Sequence, residues 1–106
     1  MKNLYNKTTE DLLKSILKLN NLGEAKKFFR DLLTEEEIIE FGKRWQVARM
    51  LAENVSYEEI VKKTGLSSRT IARISKWLNN GMGGYKLMLN KINHHHNLSP
   101  SGKRLR

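Results

Sequence analysis

Apolar residues recur at spacings of three and four over most of the chain, and short polar stretches separate these runs. This period is that of amphipathic α-helices, and the strict alternation typical of half-exposed strands is absent. The pattern predicts helices over residues 8–19, 22–33, 34–53 and 85–92, with two shorter helices within residues 56–78. The sequence therefore predicts an all-α fold class.

Polar residues at the helix starts support these boundaries. The capping box Ser/Thr-x-x-Glu satisfies backbone N–H groups at a helix start, and it occurs at Thr34–Glu37 and Ser56–Glu59. Thr8–Asp11 has a similar spacing and is predicted to open the first helix. The length of 106 residues allows one domain, predicted over residues 1–92. The polar, basic segment 93–106 is expected to be a flexible tail.

The third predicted helix is apolar on more than one side. A helix of this kind must be buried on more than one side, and one small domain can hardly supply that burial. We therefore expect a second copy of the chain to cover part of it, as a homodimer. The apolar positions are Ile38, Ile39, Phe41, Trp45, Val47, Ala48, Met50, Leu51 and Ala52.

Residues 56–78 are predicted to form a helix-turn-helix. The first helix ends at Gly65, because glycine adopts the left-handed conformation without a Cβ penalty. Ser67 or Ser68 then caps a second helix. A short helix, a glycine-containing turn and a second amphipathic helix are typical of DNA-binding motifs. The apolar face of the second helix consists of Ile71, Ile74 and Leu78.

Polar and basic residues cluster on the other face of this second helix. The first turns of a recognition helix contact base edges, where Arg pairs with guanine and Ser or Thr with several bases. The predicted base-reading residues are Ser67, Ser68, Arg69, Thr70 and Arg73. Lys62, Lys63 and Lys76 suit phosphate contacts. A helical hairpin with a solvated basic face is the alternative interpretation.

The net charge of +9 is concentrated in the second half of the chain. Residues 1–55 carry a net charge of +1, residues 56–80 of +3, and residues 81–106 of +5. Positive charge gathered around and beyond the motif is typical of a protein that binds a polyanion. A basic surface without a partner remains the alternative.

Other function classes are disfavoured. The chain has no cysteine, which excludes disulfides and cysteine-ligated zinc and fits a reducing cytoplasm. No apolar run approaches the roughly 20 residues that cross a membrane. His94–His96 is interpreted as part of the tail, because adjacent helical residues point about 100° apart and no carboxylate or cysteine follows. Glu35–Glu37 is interpreted as a solvated helix start. We predict no enzyme activity, no metal site and no cofactor.

Residues 32–78 resemble the Trp repressor superfamily, and within it the branch of YerC/YecD-type TrpR-related proteins. The resemblance is strong over the third helix and the helix-turn-helix, and looser over residues 8–92 as a whole. The motifs that carry it are Leu33-Thr34, the Gly42-x-Arg44 pair, Ser56-x-x-Glu59, Gly65 and the run Thr70-Ile71-x-Arg73.

The resemblance implies an intertwined homodimer whose helix-turn-helix units project as DNA-reading heads. In the Trp repressor, tryptophan binds between the third helix and the recognition helix. The family's tryptophan binders have small residues at the places of Ile74 and Trp77, which are both large here. We therefore expect these side chains to fill the pocket, so that DNA binding needs no tryptophan. The other residues that match pocket positions are Leu33, Thr34, Arg44, Thr70 and Arg73.

The sequence thus predicts a dimeric transcriptional regulator that binds double-stranded DNA sequence-specifically, as a repressor without a tryptophan corepressor. No membrane partner is expected, and the sequence identifies no other small-molecule effector. Two other classes remain open. One is a helical protein-interaction module whose basic surface meets an acidic partner. The other is a subunit of a DNA- or RNA-associated enzyme whose catalytic chain lies elsewhere.

Overall fold

The computed structural model describes residues 3–97, with side chains up to residue 93. This range contains six α-helices and no β-strand, so the all-α class is confirmed. The helices are α1 (Lys7–Ile16), α2 (Leu22–Leu32), α3 (Glu35–Ala52), α4 (Tyr57–Thr64), α5 (Ser68–Asn80) and α6 (Gly84–Asn97).

Contacts group the described residues into two compact units, one up to residue 40 and one from residue 41 onward. The single domain over residues 1–92 stays a prediction. None of the described helices is long and apolar enough to cross a membrane.

The first helix differs from the prediction at both ends. Its N-cap is Asn6, whose side chain accepts a hydrogen bond from the Thr9 N–H at 3.0 Å. Asn is among the strongest N-cap residues, so the helix begins before Thr8. The helix ends at Ile16, and the N–H groups of Lys18 and Leu19 then donate to carbonyls three residues back, those of Ser15 at 2.9 Å and Ile16 at 3.1 Å.

The last helix also extends further than predicted. α6 continues to Asn97, so residues 93–97 are helical, and the flexibility of the segment 93–106 stays a prediction. No glycine or proline lies between Tyr85 and Asn97 to end the helix earlier. The rest of the predicted tail, residues 98–106, and the side chains of His94–His96 lie outside the described residues.

The first unit has an apolar surface and little interior. Neither α1 nor α2 contains a buried residue. The capping box at the start of α3 is confirmed: the Glu37 N–H donates to Thr34 Oγ1 at 3.1 Å, and the Thr34 N–H donates to Glu37 Oε1 at 2.9 Å. An open apolar groove of about 700 Å³ runs beside α2, lined by Leu22, Ala25, Lys26, Lys27, Phe29, Arg30 and Ile38.

The helix α3 carries apolar residues on its exposed sides as well as on its buried side. Only Val47 and Ala48 on this helix are buried, whereas Ile39 is 59% exposed and Phe41 is 49% exposed. One chain therefore leaves a large part of the apolar surface of α3 in contact with water.

The second unit holds the hydrophobic core. Five residues from α3, α4 and α5 are 0% exposed and form one cluster: Val47, Ala48, Ile60, Ile71 and Ile74. This core holds the two helices of the motif against α3. The inward face of α5 that the sequence predicted is confirmed, because Ile71, Ile74 and Leu78 are all buried.

The end of α3 is fixed by a residue with a positive φ angle. Asn54 has φ = +64°, the left-handed conformation that asparagine tolerates better than most residues. Its N–H donates to the Leu51 carbonyl at 3.0 Å, and the Val55 N–H donates to the Met50 carbonyl at 3.0 Å. These two bonds form a Schellman motif, which closes α3 and directs the chain into α4.

Candidate nucleic-acid interface

The helix-turn-helix forms as the sequence predicts. The hydroxyl of Ser56 caps α4 by accepting a hydrogen bond from the Glu59 N–H at 3.2 Å. Gly65 ends the helix in the left-handed conformation, with φ = +76°, and its N–H donates to the Val61 carbonyl at 2.8 Å. Ser56 and Gly65 therefore have the roles that serine and glycine commonly have at the start and end of a helix.

A serine fixes the start of the recognition helix α5. Of the two candidates, Ser67 is the N-cap: its Oγ accepts a hydrogen bond from the Thr70 N–H at 3.2 Å. The Ser67 hydroxyl also donates to Thr70 Oγ1 at 3.1 Å. These bonds give Ser67 a structural task, and they leave the Thr70 hydroxyl proton able to donate elsewhere.

The outward face of α5 is basic. Arg69 and Arg73 are four residues apart and Lys76 follows three residues later, so the three side chains share one face of the helix. All three are exposed, as is Ser68, whereas Thr70 is partly buried. The helix contains no acidic residue. This face therefore presents hydrogen-bond donors and positive charge together.

The motif carries two further cations on α4. Lys62 and Lys63 lie in the last turn of that helix, and both are exposed. Lysine is a compact charge on a long flexible stem, which suits contact with phosphate groups. All eight predicted DNA-contacting residues thus lie on α4, on α5 or in the turn between them.

The residues that match ligand-pocket positions are placed in different surroundings. Leu33 and Thr34 belong to the first unit, where the Thr34 side chain serves the α3 capping box. In the second unit, Arg44 is partly buried, with its guanidinium carbon 5.7 Å from the centroid of the Phe41 ring. Arg73 is exposed on α5.

The two large residues expected to fill the pocket differ in burial. Ile74 is 0% exposed within the core, whereas Trp77 is 42% exposed. Trp77 lines an open apolar groove of about 560 Å³ together with Trp45, Gly81, Met82, Gly84, Tyr85 and Met88. Ile74 therefore fills interior volume, and Trp77 presents part of its indole to this groove.

Two aromatic rings form one wall of this groove. The rings of Trp45 and Tyr85 are stacked, with centroids 6.2 Å apart and planes 21° from parallel. Burial raises the pKa of the Tyr85 phenol above its ordinary value of 10.0, and the positive charge of Arg44 opposes that shift. The phenol is therefore uncharged at neutral pH.

Sequence reasoning missed one residue of the motif, Thr64. This threonine is 4% exposed, and its hydroxyl bridges α4 and the turn. The available signal was a threonine directly before the glycine that ends the helix. The side chains of residues 3–93 bring no three His, Cys, Asp or Glu residues together in a way that could hold a metal ion.

Sequence comparison matches this chain to a protein family and to a relative. The sequence model of the family described as Trp repressor protein matches residues 7–93. The uncharacterized protein YerC of Bacillus subtilis is 40% identical over 89 residues, which are 84% of this chain and 86% of that protein.

Two solved structures are similar to the chain. A TrpR-like protein from Eubacterium eligens superposes with a TM-score of 0.82 at 39% identity, covering 85% of this chain and 93% of its own. A proposed Trp repressor from Staphylococcus aureus gives a TM-score of 0.80 at 34% identity, covering 85% and 90%.

The helix-turn-helix with its basic outer face, in an all-helical chain, defines the class of DNA-binding regulators. Within that class, the chain belongs to the Trp repressor family. The resemblance found in the sequence is thereby confirmed.

Proposed function

We propose that the protein is a dimeric transcriptional repressor that binds double-stranded DNA sequence-specifically in the cytoplasm and needs no tryptophan. The observation that carries the proposal is the exposed basic face of α5, directly after a capped helix start. Arg69 lies at the start of that face, where a recognition helix contacts base edges. The binding itself involves no chemical reaction.

Different residues serve affinity and specificity in this mechanism. Arg69 and Arg73 offer planar, two-pronged donors that match guanine, and Ser68 and Thr70 add single hydrogen bonds. The lysines of α4 and α5 hold phosphate groups on either side. The positive end of the α5 dipole favours the same polyanion. Two heads in a symmetric dimer would read half-sites roughly 34 Å apart on one face of the duplex.

The dimer is supported by the apolar surface that one chain leaves exposed. The helices α1 and α2 bury no residue, and α3 exposes Ile39 and Phe41. We expect sedimentation at micromolar concentration to give twice the chain mass of 12.4 kDa. Ile39→Glu should shift the population toward the single chain, because it places a charge on the apolar face.

Gln46→Glu on the same helix is the matched control for the dimer, since Gln46 is exposed and already polar. It adds the same charge and should leave the mass unchanged. A folded wild-type species of 12.4 kDa at micromolar concentration would contradict the dimer.

Independence from tryptophan is supported by the burial of Ile74. This side chain fills interior volume at a place where the family's tryptophan binders have a small residue, and protein interiors have little slack. Calorimetric titration with L-tryptophan should therefore show no saturable binding. The affinity for operator DNA should be the same with and without tryptophan. The double change Ile74→Gly with Trp77→Ser should loosen the head and open space for small indole compounds.

Tight binding of tryptophan that raises DNA affinity several-fold would show that the pocket is open. In that case the protein would be a corepressor-dependent repressor, although its DNA-binding surface would be unchanged.

The direct test of function is selection of duplexes from a random pool by the purified protein. The proposal predicts enrichment of one near-palindromic motif. A protein-interaction module with a basic surface would retain DNA only through charge, and its pool would show no common motif.

A further inference from the structure

The turn between α4 and α5 depends on one buried hydroxyl group. Thr64 is the only polar residue among the buried residues of the described chain. Its hydroxyl donates a hydrogen bond to the Ile60 carbonyl oxygen at 2.8 Å and accepts one from the Leu66 N–H at 3.1 Å. A single side chain thereby joins the last turn of α4 to the residue that follows Gly65.

The bond to Leu66 satisfies a backbone group that the helix cannot satisfy. The Leu66 N–H lies just beyond the end of α4, and Leu66 is partly buried against the core. A partly buried N–H group without a partner is costly, so the Thr64 hydroxyl holds this peptide in one orientation. Valine has the shape of threonine but has no oxygen to accept the bond.

The path from α4 to α5 is short and is fixed at each step. Thr64 holds the Leu66 peptide, and Gly65 turns the chain at φ = +76° with its N–H bonded to Val61 at 2.8 Å. The next residue, Ser67, is already the N-cap of α5. The direction in which α5 leaves the turn therefore depends on the Thr64 hydroxyl.

We propose that Thr64 is a positioning residue for sequence readout: its hydroxyl sets where the first turn of α5, with Arg69, meets the base edges. This inference rests on the proposed function. Contacts to base edges tolerate displacements of only about 0.5 Å, whereas flexible lysines reach phosphate groups from many positions. Loss of the hydroxyl therefore weakens binding to the recognised sequence more than binding to DNA in general.

The test compares three variants on a selected duplex and on a shuffled duplex of equal length. Thr64→Val should lower the ratio of the two affinities about 5- to 20-fold, because it removes both hydrogen bonds of the hydroxyl and leaves the Leu66 N–H without this partner. Thr64→Ser keeps the hydroxyl and should retain the wild-type ratio. Thr8→Val, at an exposed position on α1, makes the same chemical change away from the head and should have no effect.

A second measurement reports on the turn itself. Hydrogen exchange at the Leu66 amide should be faster in Thr64→Val than in wild type, and unchanged in Thr64→Ser. Binding is measured well below each variant's melting temperature, so that every sample is folded.

Three results would overturn the positioning role. The first is a folded Thr64→Val that is less stable but keeps the wild-type affinity ratio. The second, decisive even when Thr64→Val does not fold, is a Thr64→Ser that loses the ratio despite its hydroxyl. The third is a wild-type protein with no preference between the duplexes, which would refute the proposed function as well.

Discussion

Replacing Ile71 by alanine is expected to unfold the DNA-binding head under mild denaturing conditions. Ile71 is 0% exposed and belongs to the cluster formed by α3, α4 and α5. Truncating such a side chain removes apolar contacts and leaves a cavity, at a cost of about 2–5 kcal/mol. Small proteins are stable by only about 5–15 kcal/mol in total, so the loss is a large share.

Urea denaturation followed by circular dichroism measures this effect. All variants are compared at one protein concentration, because the stability of a dimer depends on concentration. Ile71→Val removes one methylene group and is the graded control, with an expected loss of about 0.5–1.5 kcal/mol. Equal midpoints for the alanine and valine variants would show that Ile71 does not anchor the core.

Replacing Arg69 by alanine is expected to reduce binding to the selected duplex strongly and to relax its sequence preference. Arg69 is exposed near the start of α5, so its truncation removes a contact to DNA and leaves the hydrophobic core intact. One good base contact contributes about 1–3 kcal/mol, which is about 5- to 150-fold in affinity. Binding to the shuffled duplex should change much less.

Lys62→Ala is the matched control for Arg69→Ala, because it also removes one exposed cation from the motif. A phosphate contact carries no sequence information, so both duplexes should weaken by a similar factor. The salt dependence should become shallower by about one unit of slope. If Arg69→Ala behaved like Lys62→Ala, the base-reading role of Arg69 would be wrong.

The sequence was most informative where a local rule and the tertiary structure agree. The capping box at Thr34, the N-cap at Ser56, the turn at Gly65 and the buried face of α5 each depend on a few neighbouring residues. Their chemistry is strong enough to be read directly from residue types and spacings. The fold class and the motif could therefore be predicted.

The structure differs from the sequence predictions where two local signals compete for a helix end, and it adds to them where burial depends on helix packing. Asn6 and Thr8 are both acceptable helix starts, and the stronger cap takes the position. At the other end, nothing in the local sequence stops α6 at residue 92, so the helix continues to Asn97. The burial of Thr64 depends on how α4 packs, which residue type and spacing do not show.

The sequence also does not show how far Ile74 and Trp77 are buried, the two large residues expected to fill the tryptophan pocket. Ile74 and Trp77 lie three residues apart on α5 and share an apolar character, yet one is fully buried and the other is 42% exposed. Their difference depends on the neighbouring helices. The same holds for α3, whose excess of apolar residues predicts a partner without showing which surface the partner covers.

Sequence-specific binding by α5 can be measured as the ratio of two dissociation constants. One is measured for a duplex carrying the selected motif and one for its shuffled counterpart, over a series of salt concentrations. We expect a ratio of at least about 10³ at physiological salt, with both affinities falling steeply as salt increases. A ratio near one at every salt concentration would contradict this expectation, because it would show that the basic face binds DNA through charge alone.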